Sequence, residues 1–139
     1  MDIASTAVER AQAMSQEIPG ADFVLADFLD LPPAHHGGFD YVYENTCFCA
    51  IPLESRETYV SMVDKALKPG GLLLGLFYPQ TSNPPGEGPP FSIEPENLRD
   101  LFSKQFVEKQ SWIPSTGFHG RVGNELFMIW QKLKNEPLK

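Results

Sequence analysis

Cysteine is nearly absent from this 139-residue chain, and its two copies, Cys47 and Cys49, stand one residue apart. A small secreted domain held by disulfides needs several cysteines spread along the chain, so that class is excluded. The expected compartment is the reducing cytoplasm. Basic residues are scarce too, 11 against 18 acidic ones, for a formal net charge of -7. A protein that grips nucleic-acid backbone carries the opposite sign, so nucleic acid is not an expected partner. Long apolar runs are also missing. The longest, residues 72–78, has the length of a strand and falls far short of a bilayer, so no membrane partner is expected. The first residues show no basic segment followed by an apolar one, and no signal peptide is expected.

What is present is ordinary globular material. Apolar residues make up 42% and charged residues 21%, close to average usage. The length allows one domain, residues 1–139, with a core that hides roughly two-thirds of the unfolded surface. Proline is the exception, at 13 copies concentrated in a few places.

The chain reads as alternating elements. Thr6 and Glu9 have capping-box spacing, and Ala7, Ala11, Met14 and Ile18 give an apolar stripe, so residues 5–18 read as a helix ended by Pro19-Gly20. Residues 22–27 read as a buried strand and 39–44 as a second strand. Pro52 opens a helix to residue 67 that buries Tyr59, Val60, Val63, Ala66 and Leu67, and Pro69-Gly70-Gly71 stops it. Residues 72–78 then form a strand apolar on both faces. A proline loop over 80–91 precedes a helix over 95–103, which buries Leu98, Leu101 and Phe102. Two strand-like runs, 105–113 and 125–133, close the chain around a glycine-rich turn, and the tail from residue 134 is expected to fray.

Strand and helix in alternation, then an antiparallel pair, point to an open α/β sheet. Ligands of such sheets bind beyond the carboxyl ends of the strands. Asp27-Phe28, Glu44-Asn45-Thr46 and the proline loop all follow such ends. Asp2, Asp27 and Glu44 are therefore candidate acceptors for a ribose diol or an exocyclic amine, each with a plainer role as a turn or cap acid. Cys47, Cys49, His35, His36 and His119 lack a spacing that specifies a metal, so none is expected. The two cysteines read as small buried side chains beside the site. Trp130 reads as core, and Phe48 and Phe91 as walls of a pocket.

These residues resemble a known family. Asp2-Ile3-Ala4-Ser5 resembles the acid and helix start after the second strand of class I S-adenosylmethionine-dependent methyltransferases. Asp27-Phe28 resembles their adenine-contacting pair, and Leu67-Lys-Pro-Gly-Gly-Leu-Leu-Leu74 their helix-to-strand junction. The runs 39–50, Gly88-Pro-Pro-Phe91 and Arg121-Val-Gly-Asn-Glu125 resemble the thiopurine and thiol/halide methyltransferase branch. The resemblance implies a mostly parallel Rossmann-like sheet with an antiparallel C-terminal strand pair, truncated at its N-terminus. It also implies S-adenosylmethionine as cofactor and a small thiol, thiopurine, halide or thiocyanate as substrate. Asp2, Ile3, Asp27, Phe28 and Glu44 would hold the cofactor. Glu44, Asn45 and Thr46 would form the catalytic rim, and Phe48, Phe91 and Arg121 would face the substrate, with Arg121 alternatively a surface ion-pair residue.

The family's glycine-rich cofactor loop has no counterpart ahead of Asp2. Weak or absent cofactor binding is therefore expected, and so is a homodimer formed through unpaired strand edges. The alternative is a catalytically inactive scaffold that serves as an interaction or self-assembling module.

Overall fold

The computed structural model describes residues 1–15 and 18–134. Three helices, α1 (Ser5–Met14), α2 (Arg56–Ala66) and α3 (Pro95–Ser103), accompany four strands. The strands are β1 (Phe39–Asn45), β2 (Leu67–Phe77), β3 (Phe106–Trp112) and β4 (Leu126–Lys132), in the spatial order β1-β2-β4-β3. β1 and β2 run parallel, whereas β2–β4 and β3–β4 are antiparallel. The expected open α/β sheet with its antiparallel closing pair is present. Its described ladders form a mixed sheet, with one parallel pairing beside two antiparallel ones.

β2 is central because it can be covered on both sides. Its residues alternate between fully buried and half-buried from Gly71 to Phe77. Gly75 is required within it, since a Cβ there would run into the buried Phe77 ring. The start of β2 departs from the reading in which Pro69-Gly70-Gly71 only stops the helix. Leu67 already pairs with Phe39, and the ladder resumes at Tyr41 and Leu72. Residues 68–71 bulge out between these pairs, with Gly70 at φ 78°, where a glycine costs nothing sterically. Lys68 reaches back across the bulge to Asp40 at 2.8 Å.

α2 and α3 lie on one face of the sheet. Tyr59, Val60, Val63 and Ala66 of α2 and Leu98 and Phe102 of α3 are buried against Leu73, Phe77, Met128 and Trp130. Trp130 is core, as its strand position implies. Phe102 sits at the centre, stacked on Trp130 with ring centroids 5.5 Å apart, edge-on to Phe77 and tilted against Phe106.

The N-terminal quarter differs most from expectation. Residues 22–27 form no buried strand: Leu25 is 56% exposed, and the segment makes a single parallel bridge, Asp2 to Leu25. With no ladder beside it among the described residues, there is nothing to bury it against. α1 lacks the Thr6–Glu9 capping box; its N-cap is Ala4, and the Asp2 carboxylate accepts the Ala4 N–H at 2.8 Å instead. Only Val8 of α1 is buried, whereas Met14 is 85% exposed, so the expected apolar stripe covers no core. Residues 16 and 17 of that expected helix, and 135–139 of the tail, lie outside the described residues.

Candidate functional site

The bridge between Asp2 and Leu25 sets the geometry of the site. The Asp2 N–H donates to the Val24 carbonyl, and the Ala26 N–H donates to the Asp2 carbonyl, both at 3.0 Å. Two chain segments thus run side by side, and Asp27 follows two residues past the bridge. Each acid spends one oxygen locally: Asp2 Oδ1 accepts from Ala4 N–H and Asp27 Oδ1 from Leu29 N–H, both at 2.8 Å. The second oxygen of each accepts no hydrogen bond from the described residues. Two open acceptors therefore flank a cleft of about 320 Å3 lined by Asp2, Asp27, Phe28, Cys47, Ile51 and Tyr59, with Ile3 also at its edge.

The walls are apolar and aromatic. The Phe28 and Tyr59 rings meet at 5.2 Å. A planar, weakly polar ring suits such a slot, and an adjoining diol or amine suits the two acids. The residues present therefore fit the adenosine half of S-adenosylmethionine. The lining includes no glycine and no cationic side chain for the carboxylate of the methionine half.

Of the residues expected in the site, the structure brings together Asp2, Ile3, Asp27 and Phe28. Glu44 is elsewhere. It is 1% exposed, and its Oε1 accepts from the N–H groups of Cys47 at 2.7 Å and Phe48 at 3.0 Å. Its Oε2 accepts from the Tyr59 hydroxyl. Burial raises the Glu44 pKa, against the lowering effect of these hydrogen bonds. The Tyr59 hydroxyl is pushed well above its ordinary value by burial and by Glu44. This carboxyl has no face toward the cleft, so it does not form its rim.

The remaining expectations divide. Asn45 is exposed at the end of β1, and Thr46 turns the chain at φ 56° with its N–H on the Leu76 carbonyl at 3.0 Å. Neither lines the cleft. Phe48 is not a pocket wall. It is 2% exposed in the core against Tyr59, Phe77 and Phe102, because the turn after Thr46 folds it inward. Phe91 is half-buried and tied by its N–H to the Cys49 carbonyl at 2.6 Å. Arg121 lies apart from the cleft, 5.1 Å from the Tyr78 ring centre and 5.3 Å from that of Phe118, with Glu125 at 4.0 Å.

Sequence reasoning missed Tyr59 and misjudged Cys47. Tyr59 was legible as a buried helix position, and a buried tyrosine hydroxyl needs a partner. That need was the available signal for its pairing with an acid. Cys49 is buried as expected, but Cys47 is exposed and lines the cleft. Partial desolvation of its thiol against the cleft wall, with Glu44, Cys49 and Asp2 nearby, pushes the Cys47 pKa up to about 11. At neutral pH it is an uncharged thiol.

The mixed α/β sheet and the cleft beside the Asp2–Leu25 bridge place the chain in a class of fold that solved methyltransferases share. A solved methyltransferase of Methanosarcina mazei described as SAM-dependent superimposes with a TM-score of 0.80 at 19% identity, over 96% of this chain and 81% of that one. Residues 2–134 match the thiopurine S-methyltransferase family, and the chain belongs to it. It is 34% identical to a probable thiol methyltransferase 2 of Arabidopsis thaliana over 95% of this chain and 58% of the relative. It is 29% identical to thiocyanate methyltransferase 1 of Brassica oleracea over 96% of this chain and 59% of the relative. The chain thus spans somewhat under two thirds of the length of these relatives.

Proposed function

We propose that this chain is the core of a small-molecule S-methyltransferase that uses S-adenosylmethionine. The acceptor is a small thiol, a thiopurine, or an anion such as halide or thiocyanate. The observation that carries the reading is the pair of open carboxylate oxygens on Asp2 and Asp27 at the mouth of an aromatic cleft. Family membership and the names of the relatives support the thiopurine, thiol and thiocyanate acceptors, and halide is added as a soft anion of the same kind as thiocyanate.

In this reading Asp2 binds the ribose hydroxyls, Asp27 binds the adenine amine, and Phe28 with Tyr59 walls the base. Bound S-adenosylmethionine would supply an electrophilic methyl group on a sulfonium. A soft anion needs little from the protein beyond alignment and the exclusion of water. A thiol of high pKa also needs a proton acceptor.

The cofactor is expected to bind weakly, because the cleft lining offers its methionine half neither glycine nor cation. Calorimetric titration with S-adenosylhomocysteine tests this. We expect micromolar or weaker affinity, reduced about fivefold further by Asp2→Asn or Asp27→Asn, the effect of roughly one hydrogen bond. Sub-micromolar affinity would overturn the weak binding, and indifference to both substitutions would overturn the site.

The same bare lining favours a second reading, a catalytically inactive scaffold that assembles with copies of itself. The outer edge of β1 has no ladder partner among the described residues, and Phe39, Tyr41 and Tyr43 are exposed along this strand. Such an edge invites pairing, so a homodimer is part of both readings. A clean monomer mass by sedimentation at high concentration would sink it. Transfer of a labelled methyl group to a thiol separates enzyme from scaffold. A cytoplasmic site of action belongs to both readings and is supported by two free thiols.

A further inference from the structure

We infer that Glu44 is a positioning residue whose carboxylate locks the loop wall of the cleft to its helical wall. The inference rests on reading that cleft as the adenosine site. β1 delivers Glu44 to the point where the chain must leave the sheet. One carboxylate oxygen takes the N–H groups of both Cys47 and Phe48, holding the backbone in a tight turn after Thr46. Thr46 sits at φ 56°, a conformation that a β-branched residue adopts only when its surroundings impose it. The carboxylate is the imposing group, and the turn aims Cys47, Ala50 and Ile51 into the cleft.

The other oxygen accepts the Tyr59 hydroxyl from α2. Tyr59 forms the opposite wall and contacts Phe28 at 5.2 Å and Phe48 at 5.5 Å. One buried carboxyl therefore fixes the spacing between a loop and a helix that share no ladder. It has no spare oxygen and no route to a ligand, since it is 1% exposed. Its work is done through Tyr59 and the turn.

The test uses the full chain with Glu44→Gln, Glu44→Ala and Tyr59→Phe, followed by nuclear magnetic resonance. Two readouts are taken: amide hydrogen exchange at Cys47 and Phe48, and titration with S-adenosylhomocysteine observed at Asp2, Asp27 and Phe28. Glutamine keeps a carbonyl for the two amides and an amide group for Tyr59. It should hold both readouts within about threefold, because neutral hydrogen bonds can replace the lock. Alanine should speed exchange at both amides and weaken the ligand, each by about tenfold or more. Tyr59→Phe should weaken the ligand while leaving both amides protected.

If glutamine is as damaging as alanine, charge rather than geometry matters and the inference falls. It also falls if the alanine variant melts earlier yet binds as the wild type does. Should the alanine variant not fold, unchanged ligand affinity in Tyr59→Phe overturns it. Wild-type chain that shows no shift at Asp2, Asp27 or Phe28 refutes the adenosine site itself. In that event the exchange rates decide whether the lock exists.

Discussion

The Arg56 guanidinium lies 4.7 Å over the centre of the Phe48 ring. From there it donates to the carbonyls of Phe91 at 3.1 Å and Ser92 at 3.3 Å. A cation that is 6% exposed is thus held by one aromatic face and two backbone oxygens at the end of the proline loop, while its Nε meets no acceptor among the described residues. Arg56→Met should cost about 2–3 kcal/mol, since it strands two carbonyls that accept from a charged donor. The proline loop should also be cut faster by protease. Chemical unfolding and limited proteolysis measure the two effects, and an unchanged cleavage rate at residues 80–91 would show that the anchor holds nothing.

Phe102 touches four aromatic neighbours, Phe48, Phe77, Phe106 and Trp130, and is fully buried. Phe102→Ala should destabilise the fold by about 3–5 kcal/mol through lost burial and the cavity left behind. Phe102→Leu should cost clearly less, because it fills more of the cavity. Urea unfolding of the two variants gives the comparison, and equal losses would contradict a packing origin.

The Cys47 thiol, pushed up to about 11 from its ordinary 9.0, should react slowly. At pH 8 the folded chain carries about a hundredfold less thiolate at this position than an unshifted cysteine. Iodoacetamide labelling read by mass spectrometry should find Cys47 more than tenfold slower in the folded than in the urea-unfolded chain. Because the folded state holds this proton longer, stability should fall as pH rises from 9 to about 11. Cys47→Ser should remove that part of the fall.

Glu44 has its pKa raised on folding, chiefly by burial. Above pH 4.5 the unfolded carboxyl loses its proton first, while the folded one still holds it. The folded state then binds more protons, so this group's contribution declines as pH rises from 4.5 through the raised folded value. Glutamine at position 44 has nothing to titrate. Unfolding free energies measured across that range should show the wild type losing ground to Glu44→Gln, and a difference that stays flat with pH would refute the shift.

Much of the fold could be read from local pattern. The faces of α2 and α3 were legible because apolar residues recur at helical spacing: Tyr59, Val60, Val63 and Ala66 are buried on α2, although that helix starts at Arg56 rather than Pro52, Leu67 is buried as the first residue of β2, and Leu101 of α3 is half-buried. The bounds of α3 matched because proline opens that helix at Pro95 and apolar spacing ends with Phe102. Residues 22–27 failed for the opposite reason. An apolar run becomes a strand only when neighbouring strands bond to it, and here a single bridge to Asp2 is what it has.

The site was half legible. Asp2, Asp27 and Phe28 were found because each stands at the end of an extended segment, where ligands of α/β sheets gather. Glu44 and Phe48 met the same description, yet both face inward. Nothing local distinguishes Asp27, which caps a short turn at the cleft, from Glu44, whose oxygens meet Tyr59 fifteen residues away.

The sequence by itself determined α2, α3, the central strand and the acids available at the ends of extended segments, since periodicity and turn chemistry act between near neighbours. Tertiary structure alone decided which acid stays open to a ligand and which is consumed in the core. That choice depends on the hydrogen-bond donors each carboxylate meets once distant segments pack. Asp2 and Asp27 each spend one oxygen on a local amide, and Glu44 spends both on a turn and a helix.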